Sequence, residues 1–221
     1  MPVPPLATGR RSVLAMTFAA LVMAAAPAAR AQGAAAALTP EQRAEVGRIE
    51  SYLTGLRTLQ ARFVQVASSG AYAEGTFSLQ RPGRLRFQYD PPSPLLIVAD
   101  GTIVYSYDTA LKQTTQIPIN LTPLWFLLRE RIQLSGDVTI TRYERQGGVI
   151  RIALVQTKDP AAGSVELAFQ AEPLALRQWS VTDAQGITTN IALTEVRQDV
   201  ALDRRLFVFD ENAPTAVQQH Q

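Results

Sequence analysis

At 221 residues, 47% hydrophobic and 18% charged, the chain has the composition of one folded domain and not of a disordered or collagen-like polymer. It contains no cysteine, which excludes disulfide scaffolds, thiolate metal sites, cysteine nucleophiles and lipid attachment through a thiol. Its one histidine, His220, is the penultimate residue, so neither a Ser-His-Asp triad nor a histidine metal cluster is expected, and no metal or cofactor is assigned.

The formal net charge is +2, but the basic excess belongs to the start of the chain. Arg10 and Arg11 precede an uncharged apolar run over residues 13–26, and Ala29-Arg30-Ala31 follows. A positive n-region, a short h-region and an A-x-A end predict a secretory signal peptide over residues 1–31; the run is too short to span a membrane, which takes about 20 residues. The arginine pair fits an ordinary Sec signal or a twin-arginine signal. Residues 1–31 hold three arginines and no acid, so the remainder has 18 basic against 19 acidic residues, a net charge of −1. The case for nucleic acid or an anionic membrane as partner disappears with the leader. A soluble monomer outside the inner membrane is expected.

Residues 32–38 form an Ala-rich spacer without a core-forming pattern. Thr39-Pro40-Glu41-Gln42 then predicts a helix start, with Thr39 as cap, Pro40 in the first turn and Gln42 completing a capping box. Val46, Ile49, Leu53 and Leu56 follow at helical spacing, so an amphipathic helix of about twenty residues should end before Arg62. The period then changes to two. Gly75, Phe77 and Leu79 alternate with polar residues, Pro82-Gly83 marks a turn, and Leu85, Phe87 and Tyr89 alternate with Arg84, Arg86, Gln88 and Asp90. An apolar run at 95–99, the hairpin signal Asp100-Gly101 and the alternating Ile103, Tyr105 and Tyr107 come next. Six further strand-like runs cover 138–144, 149–155, 165–169, 174–182, 187–196 and 206–209. Ten or eleven short strands joined by tight turns mean an antiparallel barrel or a strongly curved sheet.

One stretch breaks the pattern. No charge occurs between Lys112 and Arg129, and Thr122-Pro123 leads into Leu124-Trp125-Phe126-Leu127-Leu128. Five large apolar residues on a short helix cannot share one face. Such a helix either plugs the barrel as ordinary core or covers an apolar ligand. Asp90, Asp100 and Asp108 could suggest acid–base chemistry, but each sits beside a turn or strand end, where aspartate serves the backbone. No phosphate loop, nucleophile elbow or metal spacing appears, and no enzyme activity is expected.

The run from Leu79 to Pro92, with Gln80-Arg81-Pro82-Gly83 and Phe87-Gln88-Tyr89-Asp90-Pro91 inside it, resembles the signature of the periplasmic outer-membrane lipoprotein carrier (LolA) family. Phe63-Val64-Gln65, Val98-Ala99-Asp100-Gly101, Tyr105-Ser106-Tyr107-Asp108, Gln113, Thr122-Pro123 and the pair Phe207 and Phe209 match in order. The similarity covers residues 38–210. After it, Asp210-Glu211-Asn212-Ala213-Pro214 runs into a polar tail where the family has a Pro- and Gly-containing segment. The resemblance implies a mainly β fold with a few helices: an incomplete antiparallel β-barrel, or half-barrel, covered by an α-helical lid, over residues 39–212, with a polar tail at 213–221.

It further implies a carrier of acylated lipoproteins, loaded by an inner-membrane ABC lipoprotein-release complex and unloaded by an outer-membrane lipoprotein receptor. Without a cysteine to acylate, the chain is not itself such a receptor. Other exported half-barrels that bind lipids or amphiphiles, such as envelope-stress sensor domains, share the fold and are the alternative. By the resemblance, Arg81 is the lid latch, donating to lid-helix carbonyls; a strand-end arginine could equally pair with a surface acid. Leu124, Trp125, Phe126, Leu127 and Leu128 are the lid helix. Phe77, Leu79, Leu85, Phe87, Tyr89, Tyr105, Tyr107 and Trp179, read from strand alternation, are candidates for the acyl-chain cavity.

Overall fold

The computed structural model describes residues 33–212; the expected signal peptide and the polar tail at 213–221 lie outside the described residues. Helix α1 (Pro40–Gly55) starts as the capping box requires: Gln42 N donates to Thr39 Oγ1 at 3.3 Å, and Thr39 N donates to Gln42 Oε1 at 2.9 Å. Its stripe of Val46, Ile49 and Leu53 is buried. The helix is sixteen residues long, shorter than the apolar spacing suggested, because the chain is already extended at Thr58.

Eleven strands follow: β1 (Thr58–Ala67), β2 (Tyr72–Gln80), β3 (Arg84–Tyr89), β4 (Leu95–Asp100), β5 (Ile103–Asp108), β6 (Gln113–Pro118), β7 (Val138–Gln146), β8 (Val149–Gln156), β9 (Gly163–Gln170), β10 (Ala175–Asp183) and β11 (Thr188–Gln198). They form one antiparallel sheet in the order β6-β5-β4-β3-β2-β1-β11-β10-β9-β8-β7. Two meanders are thus joined through β1 and β11, and the outermost strands β6 and β7 do not pair, so the barrel stays open. β1 and β6 escape the alternation reading. Residues 206–209, expected as a strand, instead enter a 3₁₀ turn (Arg204–Phe207) and continue outside the sheet.

The inner face holds the main core. Phe77 stands opposite Phe87, and Leu79 opposite Leu85, and these join Phe63, Ile152, Leu167, Phe169, Trp179 and the α1 stripe. Gly75 faces Phe63 on β1 and Tyr89 on β3, whose rings meet edge to face at 5.1 Å. A Cβ at Gly75 would lie 2.0 Å from Gln88 O and 2.8 Å from a Phe63 ring carbon. In β10 a bulge between Leu176 and Gln178 shifts the register, so that Leu176 and Trp179, three residues apart, are both buried.

The segment before α1 takes part as well. Ala36 N donates to Ile140 O of the edge strand β7 at 2.8 Å, and Ala36 and Leu38 pack against the core. Gly75→Ala should destabilise the protein by about 1–3 kcal/mol through overpacking; urea unfolding checks this, and an unshifted midpoint would show that the backbone can yield here.

Candidate functional site

The uncharged stretch resolves into three pieces. Its first part is edge strand β6. A 3₁₀ turn (Ile119–Leu121) follows, anchored by Ile119 N donating to Thr102 O at 2.9 Å. The expected lid helix is a single 3₁₀ turn (Trp125–Leu128) with Leu124 at its N-cap. No α-helix forms: Pro123 supports a helix start, but the helical turn is only four residues long, and the five large side chains divide among core, cavity and rim. Phe126 and Leu128 are buried in the core. Leu124 and Leu127 are half-buried and, with Leu128, face a cavity. Trp125 is half-buried with the Arg129 guanidinium 3.9 Å above its ring.

That cavity has a volume of about 60 Å³. Phe77, Leu79, Leu85, Phe87 and Trp179 line it from the sheet, together with Leu59, Leu176 and Leu193, and Leu53 and Leu56 line it from the end of α1. Five of the eight aromatic and aliphatic candidates read from the strands are therefore brought together. Tyr89 is inner core but does not line the cavity; its hydroxyl donates to Gln65 Oε1 at 2.8 Å, and burial pushes its pKa up to about 12 against the pull of that bond. Tyr105 and Tyr107 are corrected outright. They stand opposite Val98 and Leu96 on β4, on the outer face, where Phe209 stacks on Tyr105 at 4.7 Å and meets Tyr107 at 5.7 Å. Strand β4 is apolar on both faces, so its alternation carries no phase for β5.

The same outer face explains Arg86. It is buried beneath the C-terminal segment, with Nη1 donating to Leu206 O at 3.2 Å and Nη2 to Gln88 Oε1 at 2.6 Å. Phe207 is buried there too. Asp100 and Asp108 close turns: Asp100 Oδ1 accepts from Thr102 N and Ile103 N, and Asp108 Oδ1 accepts from Ala110 N and Leu111 N. Asp90 pairs with Arg62 at 2.5 Å.

Arg81 is 7% exposed and lines the cavity. Its Nε donates to Leu56 O, the C-cap of α1, at 2.8 Å, and its Nη2 donates to the same oxygen. Burial and the nearby Arg57 charge lower its pKa to about 10, which still leaves a full cation at neutral pH. It therefore reaches α1 and makes no hydrogen bond to residues 124–128. The central turn is held to the sheet by a different contact, Gly83 N donating to Leu128 O at 2.8 Å. Gly83 has φ +78°, and a Cβ there would lie 2.7 Å from Gly101 Cα, so the β2–β3 turn also fits against the β4–β5 turn only as glycine.

The two covering elements are fastened unequally. Helix α1 has Leu56 O held by Arg81, Glu50 accepting from Leu134 N at 2.6 Å, Thr54 accepting from Ile132 N at 3.1 Å and Tyr52 accepting from Leu176 N at 3.1 Å. Glu45 adds bonds to Tyr143 and Arg145 on β7.

The sequence model of the outer membrane lipoprotein carrier protein LolA matches residues 54–210. The chain belongs to this family. The outer-membrane lipoprotein carrier protein of Pseudomonas aeruginosa is 32% identical over 193 residues, covering 83% of this chain and 91% of its relative. That of Methylococcus capsulatus is 33% identical over 175 residues, covering 75% and 83%. Among solved structures, a putative outer membrane lipoprotein-sorting protein domain from Vibrio parahaemolyticus aligns with a TM-score of 0.45 at 12% identity, over 77% of this chain and 97% of its own. The LolA match begins inside α1 and ends at Asp210, so it spans both the cavity and the outer-face segment.

Neighbouring residues of the central turn should respond differently to truncation. Phe126→Ala is expected to cost about 3–5 kcal/mol of folding stability, and Trp125→Ala about 1 kcal/mol. Thermal or urea unfolding of the two variants checks this; equal losses would place Trp125 in the core.

Proposed function

We propose that the protein is a non-catalytic periplasmic carrier, exported by its N-terminal signal peptide, that takes the acyl chains of lipoproteins onto the inner face of its open sheet. An inner-membrane ABC release complex supplies the cargo and an outer-membrane receptor accepts it. The observation that carries this reading is an apolar cavity bounded by the sheet on one side and by an uncharged segment with few hydrogen bonds to the sheet on the other.

The energetics require a movable cover. An acyl chain gains about 0.8 kcal/mol per buried methylene, so fourteen methylenes gain on the order of 11 kcal/mol. A preformed apolar slot of that depth would bind too tightly to deliver. Here the space left is about 60 Å³, a few waters' worth on a scale where one water needs about 10–15 Å³. Loading therefore has to displace protein side chains. Leu124, Leu127 and Leu128 cover the cavity while empty and are exchanged for acyl chain when loaded, so the free energy of closing offsets part of the binding. Segment 119–128 moves, and α1, with its several bonds, stays.

Arg81 sets how readily cargo leaves. Its bond to Leu56 O secures the end of α1 beside the cavity, and its buried charge makes the cavity a poorer solvent for hydrocarbon. Arg81→Leu removes the buried charge, so the cavity holds hydrocarbon more tightly and release slows. Transfer of a fluorescent diacylated lipopeptide from Arg81→Leu to acceptor membranes carrying the receptor should be several-fold slower than from the wild type; equal half-times would remove Arg81 from the release step. Loading itself is tested by native mass spectrometry of the detergent-free protein mixed with a triacylated lipopeptide. A one-to-one complex is expected, strongly reduced by Leu127→Glu, and no adduct on the wild type would contradict the carrier reading.

A further inference from the structure

Two side chains lining this apolar cavity carry donors that no described residue satisfies. The Nη1 of Arg81 and the indole Nε1 of Trp179 are both fully enclosed, and neither has a hydrogen-bond partner among the described residues. Gln80 Oε1 is the third such atom and does not line the cavity. Arg81 spends Nε and Nη2 on a single carbonyl, Leu56 O, which leaves Nη1 turned elsewhere. Trp179 is 4% exposed and packs beside the Phe77–Phe87 pair, at ring distances of 5.6 and 6.3 Å. Its orientation is fixed by packing alone.

Stranded buried donors are destabilising, more so when the group is charged. A cavity lined by leucine and phenylalanine at both positions would hold plain hydrocarbon more tightly. Both orphans are donors, so a ligand that answers them must bring acceptors. The alkyl part of a fatty chain has none; the carbonyl oxygen of the ester or amide that joins the chain to its head group is one. Apolar pockets with a few placed polar groups fix how deep a ligand sits and which ligand is accepted.

We propose that Arg81 Nη1 and Trp179 Nε1 donate to the acyl carbonyl oxygens of bound cargo, so that the site selects acyl (ester- or amide-linked) chains over plain alkyl chains and sets their depth. This rests on the acyl-binding reading above and adds the head-group chemistry to it. A charge-assisted bond from arginine and a neutral bond from indole are unequal, and Arg81 carries more of the selection.

The test compares 1,2-dioctanoylglycerol with its diether, 1,2-dioctylglycerol, as displacers of the fluorescent probe N-phenyl-1-naphthylamine from the protein. The diether is the more apolar of the two, so hydrophobic transfer alone favours it. The expected result is displacement by the diester at a concentration at least tenfold lower, a ratio reduced threefold or more in Arg81→Met and in Trp179→Phe. Equal potency on the wild type overturns the proposal while leaving the acyl-binding reading in place. A tenfold preference that persists unchanged in Trp179→Phe and Arg81→Met also overturns it. Displacement by neither compound overturns both. Trp179→Phe keeps a packed ring, and its ratio decides the matter alone if Arg81→Met does not fold.

Discussion

An antiparallel sheet that does not close must still bury its inner face. Here β6 and β7 are consecutive strands in the chain yet sit at opposite edges of the sheet. The polypeptide joining them is not a hairpin; it folds inward, bringing Phe126, Leu128, Ile132 and Leu134 into the core. The opening and its cover are therefore one device, since the residues that would have sealed the barrel fill it instead.

The cover is uneven by construction. Helix α1 begins in a capping box, buries a continuous stripe and ends on a buried arginine. The central turn has a short 3₁₀ geometry, and Leu128 O accepts its one backbone bond from the β2–β3 turn, from Gly83 N. Short 3₁₀ pieces are weakly held on their own, and an uncharged sequence incurs no ionic penalty when its leucines are exchanged for lipid. The same region strands two donors in the cavity wall. They weaken the hold on plain hydrocarbon, and an acyl carbonyl would answer them.

Much of this was legible in the sequence, and the failures have physical causes. The capping box, the helix stripe and the clean alternation of Leu85, Phe87 and Tyr89 pointed to the right elements because each pattern is local. Phe77, Leu79, Phe87 and Trp179 could be placed on the inner face for the same reason. Tyr105 and Tyr107 could not: β4 is apolar on both sides, and what covers its outer side is Phe209, about a hundred residues later in the chain. Leu176 was hidden by the β10 bulge, which breaks the two-residue period. The Leu124–Leu128 run announced an apolar surface but not its form, since five large side chains divided among core, cavity and rim leave no period to read. That Arg81 grips α1 and not the central turn is a matter of tertiary distance, which spacing does not carry.

On loading, segment 119–128 should move aside for acyl chains while α1 stays. The cysteine-free chain makes this directly measurable. Spin labels introduced in pairs, Leu121→Cys with Glu195→Cys and Ser51→Cys with Glu195→Cys, report each cover element against β11 by pulsed electron resonance. On loading with a triacylated lipopeptide, a longer and broader distance is expected for the Leu121 pair and an unchanged one for the Ser51 pair. An unchanged Leu121 pair in a loaded protein would show that segment 119–128 is not the moving cover.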